Sequence, residues 1–175
     1  MPSGRSKGLV RTLVACAVLS AYGGAGHAQE PVSLVGKRAP ELSLQDLYGA
    51  RVDLAKDRGK VLLLNFWATW CGPCKVEMPR FMQWQKQYGA QGFEVIGVSI
   101  DDSEQPAQAF VEKLHLNYPV VMGNAKLGEL YGGVLGVPVT FLIDRAGVVR
   151  ARFDGEEHLP AEERQLKRLL GVTVR

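Results

Sequence analysis

The chain has 175 residues, of which 46% are hydrophobic and 22% are charged, and this length and composition fit one globular domain with a core of its own. Its formal net charge of +3 comes from residues 1–28, which hold three basic side chains and no acidic one. The remaining residues therefore contain 18 basic and 18 acidic side chains. This balance excludes a nucleic-acid partner recognised through net charge.

The amino terminus has the pattern of an export signal. A basic start is followed by the apolar run TLVACAVLSAYGGAG and by small residues that end at Ala28. This pattern predicts cleavage after Ala28 and therefore a periplasmic protein with a mature amino terminus at Gln29. An uncleaved membrane anchor and a lipoprotein box ending at Cys16 are the alternatives. We expect a signal at 1–28, a linker at 29–35 and a single domain at 36–175.

Apolar periodicity predicts the elements of the mature chain in order. They are a β-hairpin at 41–54, a buried strand at 60–68, a helix at 73–91, a buried strand at 93–100, a helix at 105–116, a short helix at 127–131, a strand pair at 139–144 and 148–154, and a helix at 160–170. The order predicts an α/β fold in which helices flank a central mixed sheet, extended by the amino-terminal hairpin. Asp101 and Asp102 are interpreted as turn and helix N-cap residues.

Once the signal is removed, Cys71 and Cys74 are the only cysteines. A zinc site needs about four ligands, and neither His115 nor His158 has a spacing that would complete one. A purely structural disulfide is a weak explanation, because the pair closes a very short loop and would add little stability. The spacing therefore favours a redox-active Cys71–Cys74 disulfide and predicts no metal and no other cofactor.

The surroundings of the pair fit thiol chemistry. A strand-to-helix turn aims free N–H groups and the positive helix end at Cys71, which favours its thiolate. Gly72 permits a tight turn, and Pro73 is tolerated in the first helical turn. Cys74, one turn on, can attack a mixed disulfide formed on Cys71. Trp70 is expected to pack beside the pair.

Two stretches resemble the signatures of the thioredoxin superfamily, namely WATWCGPCKVEMP at 67–79 and GVPVTFLIDRAGVV at 136–149. The resemblance implies a thioredoxin-like fold and a cis peptide bond between Val137 and Pro138. It also implies that Trp70, Gly72, Pro73, Val137 and Pro138 contact the substrate. The Val137 backbone would then pair with an extended substrate chain as a neighbouring strand does.

The leader, the hairpin, LLNFWATWC and Glu77 together resemble the TlpA/ResA-like group of exported thiol:disulfide oxidoreductases, to which the DsbE/CcmG group is related. Ordinary thioredoxins carry a buried Asp that accepts a proton from the inner cysteine, and Asn65 occupies that position here. The resemblance assigns the role to Glu77, although helical spacing alone favours a solvated side chain.

The resemblance implies a monomeric periplasmic enzyme that reduces specific disulfides. Its partners would be apocytochrome c or the copper-site proteins of respiratory oxidases, and a membrane thiol reductase would supply electrons. The alternative is a copper metallochaperone on the same fold. Because Gly72 and Pro73 bring no charge to the pair, we expect a stable disulfide and an electron donor rather than an oxidant.

Overall fold

The structure is a computed structural model that describes residues 33–155 and 158–172. Its strands are β1 Ser43–Gln45, β2 Arg51–Asp53, β3 Val61–Trp67, β4 Phe93–Ser99, β5 Val120–Met122, β6 Val139–Ile143 and β7 Val149–Asp154. Its helices are α1 Gly72–Tyr88, α2 Glu104–Leu114, α3 Ala125–Leu130 and α4 Leu159–Leu170. The predicted export signal lies outside the described residues. Within the two described ranges, no helix is long and apolar enough to cross a membrane.

Five strands form a mixed sheet in the order β5-β4-β3-β6-β7. β3, β4 and β5 are parallel, whereas β6 runs antiparallel to both β3 and β7. All seven residues of β3 are buried, as expected of a near-continuous apolar run at the centre of a sheet. The structure thus confirms the predicted α/β fold with a central mixed sheet.

Two apolar cores cover the two faces of this sheet. On one face, α1, α2 and α4 contribute Phe81, Val111 and Leu166 to a cluster that also contains both cysteines. On the other face, α3 and the β1–β2 hairpin cover a second cluster. The redox pair is therefore packed in the core under α1, α2 and α4. Polar side chains buried in this core are the candidates for proton exchange with the cysteines.

The predicted amino-terminal hairpin is present as β1 and β2, which pair antiparallel with Leu44 opposite Val52. It is attached to the sheet because the Leu47 N–H donates to the Val120 carbonyl at 2.9 Å. Leu34, within the segment predicted as a linker, is buried in the second core.

Three sequence interpretations differ from the structure. β5 was not predicted, because three residues after Pro119 are too few to show periodicity. Val76, assigned to the apolar face of the first helix, is exposed, since it is two residues from both Cys74 and Met78 and so points away from their face. Ser103, not Asp101 or Asp102, is the N-cap of α2.

Candidate active site

The two cysteines lie where β3 passes into α1 and are joined by a disulfide with a Cα–Cα distance of 5.4 Å. Cys71 is the N-cap of α1, and its Sγ accepts a hydrogen bond from the Cys74 N–H at 3.1 Å. The cap side chain thus lies at the positive end of a 17-residue helix, where a negative charge is favoured. This is the geometry that stabilises a thiolate at the first cysteine.

Cys71 and Cys74 differ in exposure in the order that the sequence indicates. Cys71 is 4% exposed and Cys74 is 0% exposed, so even the outer sulfur is only slightly open in the disulfide form. Trp70, by contrast, is 66% exposed, and Gly72 and Pro73 are also exposed. The surface around the outer sulfur is therefore formed by Trp70, Gly72 and Pro73, while Cys74 has no exposed surface.

A buried carboxylate lies beneath the pair. Glu77 follows Cys74 by one helical turn, and both side chains are buried on the same face of α1. Asn65 on β3 donates to Glu77 Oε2 at 3.5 Å and to Thr140 Oγ1 on β6 at 3.1 Å. Burial, and secondarily the charge of Glu77, raise the pKa of the nearby Tyr118 well above its usual range. The solvated position that spacing alone favours for Glu77 is therefore wrong.

The segment before β6 lies beside the cysteine loop. Val139 pairs with Phe66 near the end of β3, so the preceding residues run past the loop that carries Cys71. The Val137–Pro138 peptide bond is cis, and Val137 packs against the cluster that contains both cysteines. A groove of about 340 Å³ lies along this segment and is lined by Leu135, Val137, Pro138 and Arg152, among other residues.

Two features of the site were missed by sequence reasoning. Asp101 is buried and anchors the cysteine loop, because its carboxylate accepts the Thr69 N–H at 3.1 Å, the Thr69 hydroxyl at 2.7 Å and the Ser99 hydroxyl at 2.8 Å. Its position after β4 was a usable signal, since adjacent parallel strands end at the same edge of a sheet. Leu135 is 95% exposed beside the groove, which no pattern indicated.

Among residues 33–155 and 158–172, no group of three or more His, Cys, Asp or Glu side chains could hold a metal ion. His115 ends α2 and is exposed, and the His158 ring packs against Phe153 at a centroid distance of 5.9 Å.

Comparison with known proteins relates this chain to thiol-disulfide oxidoreductases. A sequence model of the AhpC/TSA family matches residues 35–152. The chain is 36% identical over 137 residues to the thiol-disulfide oxidoreductase ResA of Bacillus thuringiensis subsp. konkukian, covering 77% of this chain and 78% of that protein. It is 32% identical over 142 residues to ResA of Bacillus subtilis, covering 81% and 79%. A Chlorobium tepidum structure assigned as the thiol:disulfide interchange protein DsbE superposes with a TM-score of 0.74 at 36% identity, covering 79% of this chain and 100% of that one.

Proposed function

Because the chain belongs to the AhpC/TSA family and to the TlpA/ResA-like thiol:disulfide oxidoreductases of the thioredoxin superfamily, we propose that it works as a reductase of disulfide bonds in exported partner proteins. The observation that carries this proposal is the cysteine geometry. Cys71 caps α1 and is slightly exposed, whereas Cys74 is fully buried and bonded to it. The Cys71 sulfur can form a mixed disulfide with a partner, and the Cys74 sulfur can then attack that disulfide and release the partner.

The reaction is a two-step exchange. In the reduced protein, the Cys71 thiolate attacks one sulfur of the partner disulfide; an S–S bond forms to Cys71, and the other partner sulfur leaves as a thiolate. Cys74 then gives its proton to Glu77 and attacks the Cys71 sulfur, which closes the Cys71–Cys74 disulfide and releases the second partner thiolate. The partner gains two electrons and takes up two protons from solvent, and the protein loses two electrons.

Electron flow towards the partner is supported by the residues between the cysteines. Gly72 and Pro73 carry no charge that would stabilise the Cys71 thiolate, so its main stabilisation comes from the amino terminus of α1. A modestly stabilised thiolate gives a stable disulfide, and such a pair donates electrons. After each turnover a membrane thiol reductase must restore the dithiol, because an oxidising compartment does not.

Partner binding is assigned to the surface around Cys71, formed by Trp70, Gly72, Pro73, Val137 and Pro138. An extended partner chain would lie in the groove beside Pro138 and pair with the Val137 backbone. Trp70, exposed next to the outer sulfur, supplies apolar contact area. We assign the protein to the periplasm as a monomer with a cleaved export signal, and we propose apocytochrome c cysteines or oxidase copper-site cysteines as its substrates.

Mixed-disulfide trapping tests the proposed function. In cells that express the full chain with its leader, Cys74→Ser leaves the Cys71 thiolate able to attack but unable to release its partner. We expect stable, dithiothreitol-sensitive complexes whose partners are identified by mass spectrometry. Cys71→Ser is the matched control and should trap none. Equal trapping by the two variants would contradict the assignment of Cys71 as the attacking thiol.

A further inference from the structure

Three polar side chains from three elements meet in the apolar core beneath the disulfide. Asn65 on β3, Thr140 on β6 and Glu77 on α1 are each at most 2% exposed. Buried polar groups of this kind are costly unless they are hydrogen-bonded, so their arrangement is specified by the surrounding structure. Asn65 alternates along β3 with Leu63 and Trp67, which belong to the same apolar cluster as both cysteines, and Glu77 lies one helical turn after Cys74.

The amide of Asn65 uses its two N–H groups in two directions. One goes to Thr140 Oγ1 at 3.1 Å and the other to Glu77 Oε2 at 3.5 Å. Asn65 and Thr140 are direct register partners in the β3–β6 ladder, so the sheet fixes both. An ionised carboxylate only accepts hydrogen bonds, which requires the NH₂ end of Asn65 to face Glu77.

A hydrogen-bond donor beside a carboxylate favours its charged form, and a second carboxylate in the same place disfavours it. An aspartate at position 65 would put two acids within hydrogen-bond distance, and one of them would hold its proton. An asparagine there leaves Glu77 as the single acid of the trio and offers it a donor. The amide is thus the side chain that suits a proton-accepting Glu77.

We propose that Asn65, supported by Thr140, is a positioning residue that holds the Glu77 carboxylate in its ionised state next to Cys74. This inference rests on the proposed role of Glu77 as the proton acceptor of Cys74 during thiol–disulfide exchange. The competing explanation is that Asn65 and Thr140 only join β3 to β6. The backbone ladder already joins those strands at five residue pairs, and a purely structural role would leave the ionisation of Glu77 unchanged.

Asn65→Leu and Asn65→Asp test the inference in the reduced full-length protein. The leucine has the same number of side-chain heavy atoms and the same branching but donates no hydrogen bond, while the aspartate keeps the size and adds a charge. The first readout is the pH titration of the Glu77 carboxyl carbon followed by NMR. We expect an upward shift of about one pH unit in the leucine variant and a larger one in the aspartate variant. Thr140→Val, which removes the second partner of the amide, should give a smaller shift in the same direction.

The second readout is the pH profile of the exchange rate with a small disulfide. The rate also rises as the Cys71 thiol ionises, so only the part of the rise that Glu77→Gln removes should move with the Glu77 titration in each variant. Asn65→Leu should have no further effect in a Glu77→Gln background. Besides the two cysteines, the other buried titratable groups described on this face are Tyr88, Tyr118 and Glu162, and all of them are the same in every variant.

An unchanged Glu77 titration in Asn65→Leu would overturn the inference, and so would an effect on the exchange rate that persists in Glu77→Gln. If Asn65→Leu does not fold, Thr140→Val and Asn65→Asp make the same measurement. A wild-type protein without disulfide reductase activity would instead contradict the proposed function, and the NMR titration would still report whether Asn65 acts on Glu77.

Discussion

Glu162 on α4 is expected to make the stability of this protein fall as the pH rises from about 4.5 to about 7. Its side chain is 0% exposed, and within the described part of the chain neither carboxylate oxygen has a hydrogen-bond partner. It faces the core one turn before Leu166, on the helix that packs over β3 and β6. Burial alone raises its pKa from 4.5 to about 7, because a charge without a partner is disfavoured there.

The size and sign of the effect follow from that pKa difference. Below pH 4.5 the carboxyl is protonated in both the folded and the unfolded chain, so it has no effect. Between pH 4.5 and about 7 the folded state holds the proton more tightly, and the free energy of unfolding falls as the pH rises. Above about pH 7 the loss is complete and amounts to about 3 kcal/mol, a large share of the stability of an ordinary domain.

Glu162→Gln removes the ionisation while keeping the size and polarity of the side chain. Thermal and urea unfolding of the disulfide form, in which the cysteines do not titrate, should be compared at pH 5 and pH 8. Because part of the loss is already present at pH 5, the variant should gain about 2.5 kcal/mol relative to wild type between these pH values, or roughly 5–10 °C in Tm. Glu163→Gln is the matched control. It removes only the surface ion pair to Lys167 at 3.0 Å, so it should change stability by less than about 1 kcal/mol at either pH. A Glu162→Gln effect of equal size at pH 5 and pH 8 would refute the reasoning.

The remaining predictions concern the site and the leader. Glu77→Gln should keep the fold but slow exchange and flatten its pH dependence, since an amide cannot carry a proton; identical rates from pH 6 to 9 would remove Glu77 from the mechanism. Asp101→Ala should lower the free energy of unfolding by about 1–3 kcal/mol, because it leaves the half-buried Thr69 N–H and the buried Ser99 hydroxyl without their acceptor; urea unfolding that matches wild type would contradict this. Trp70→Ala should weaken reduction of a protein substrate several-fold and leave reduction of a small disulfide unchanged, and an equal loss for both substrates would exclude a docking role. Amino-terminal sequencing should begin at Gln29, whereas a retained Met1 would support the membrane anchor.

Much of the fold was predictable because its elements carry strong local patterns. The continuous apolar run of β3, the turn between β6 and β7 and the apolar periodicity of α4 are each visible without tertiary information. β5 is only three residues long and owes its existence to pairing with β4, which no local pattern encodes. Val76 was wrongly predicted to be buried because the apolar residues of the helix were grouped together without regard to their angular positions around its axis.

The candidate site was predictable where its chemistry is local in sequence. Cys71 and Cys74 lie in one motif, and their helix-terminal position follows from the turn that precedes α1. Asn65 and Thr140 are 75 residues apart, and Thr69 and Asp101 are 32 apart, so only the folded sheet brings them together. The burial of Glu162 was also not predictable from the sequence, because nothing local distinguishes it from the exposed charged residues of the same amphipathic helix.

The direction of electron flow is the central claim, and the midpoint potential of the Cys71–Cys74 pair tests it most directly. The purified protein should be equilibrated with a dithiothreitol or glutathione redox series, and the fraction reduced should be read from alkylation mass shifts. With only Gly72 and Pro73 between the cysteines, the midpoint should lie near the roughly −270 mV of thioredoxin. A midpoint near the roughly −120 mV of DsbA would mark the protein as an oxidant and contradict the account.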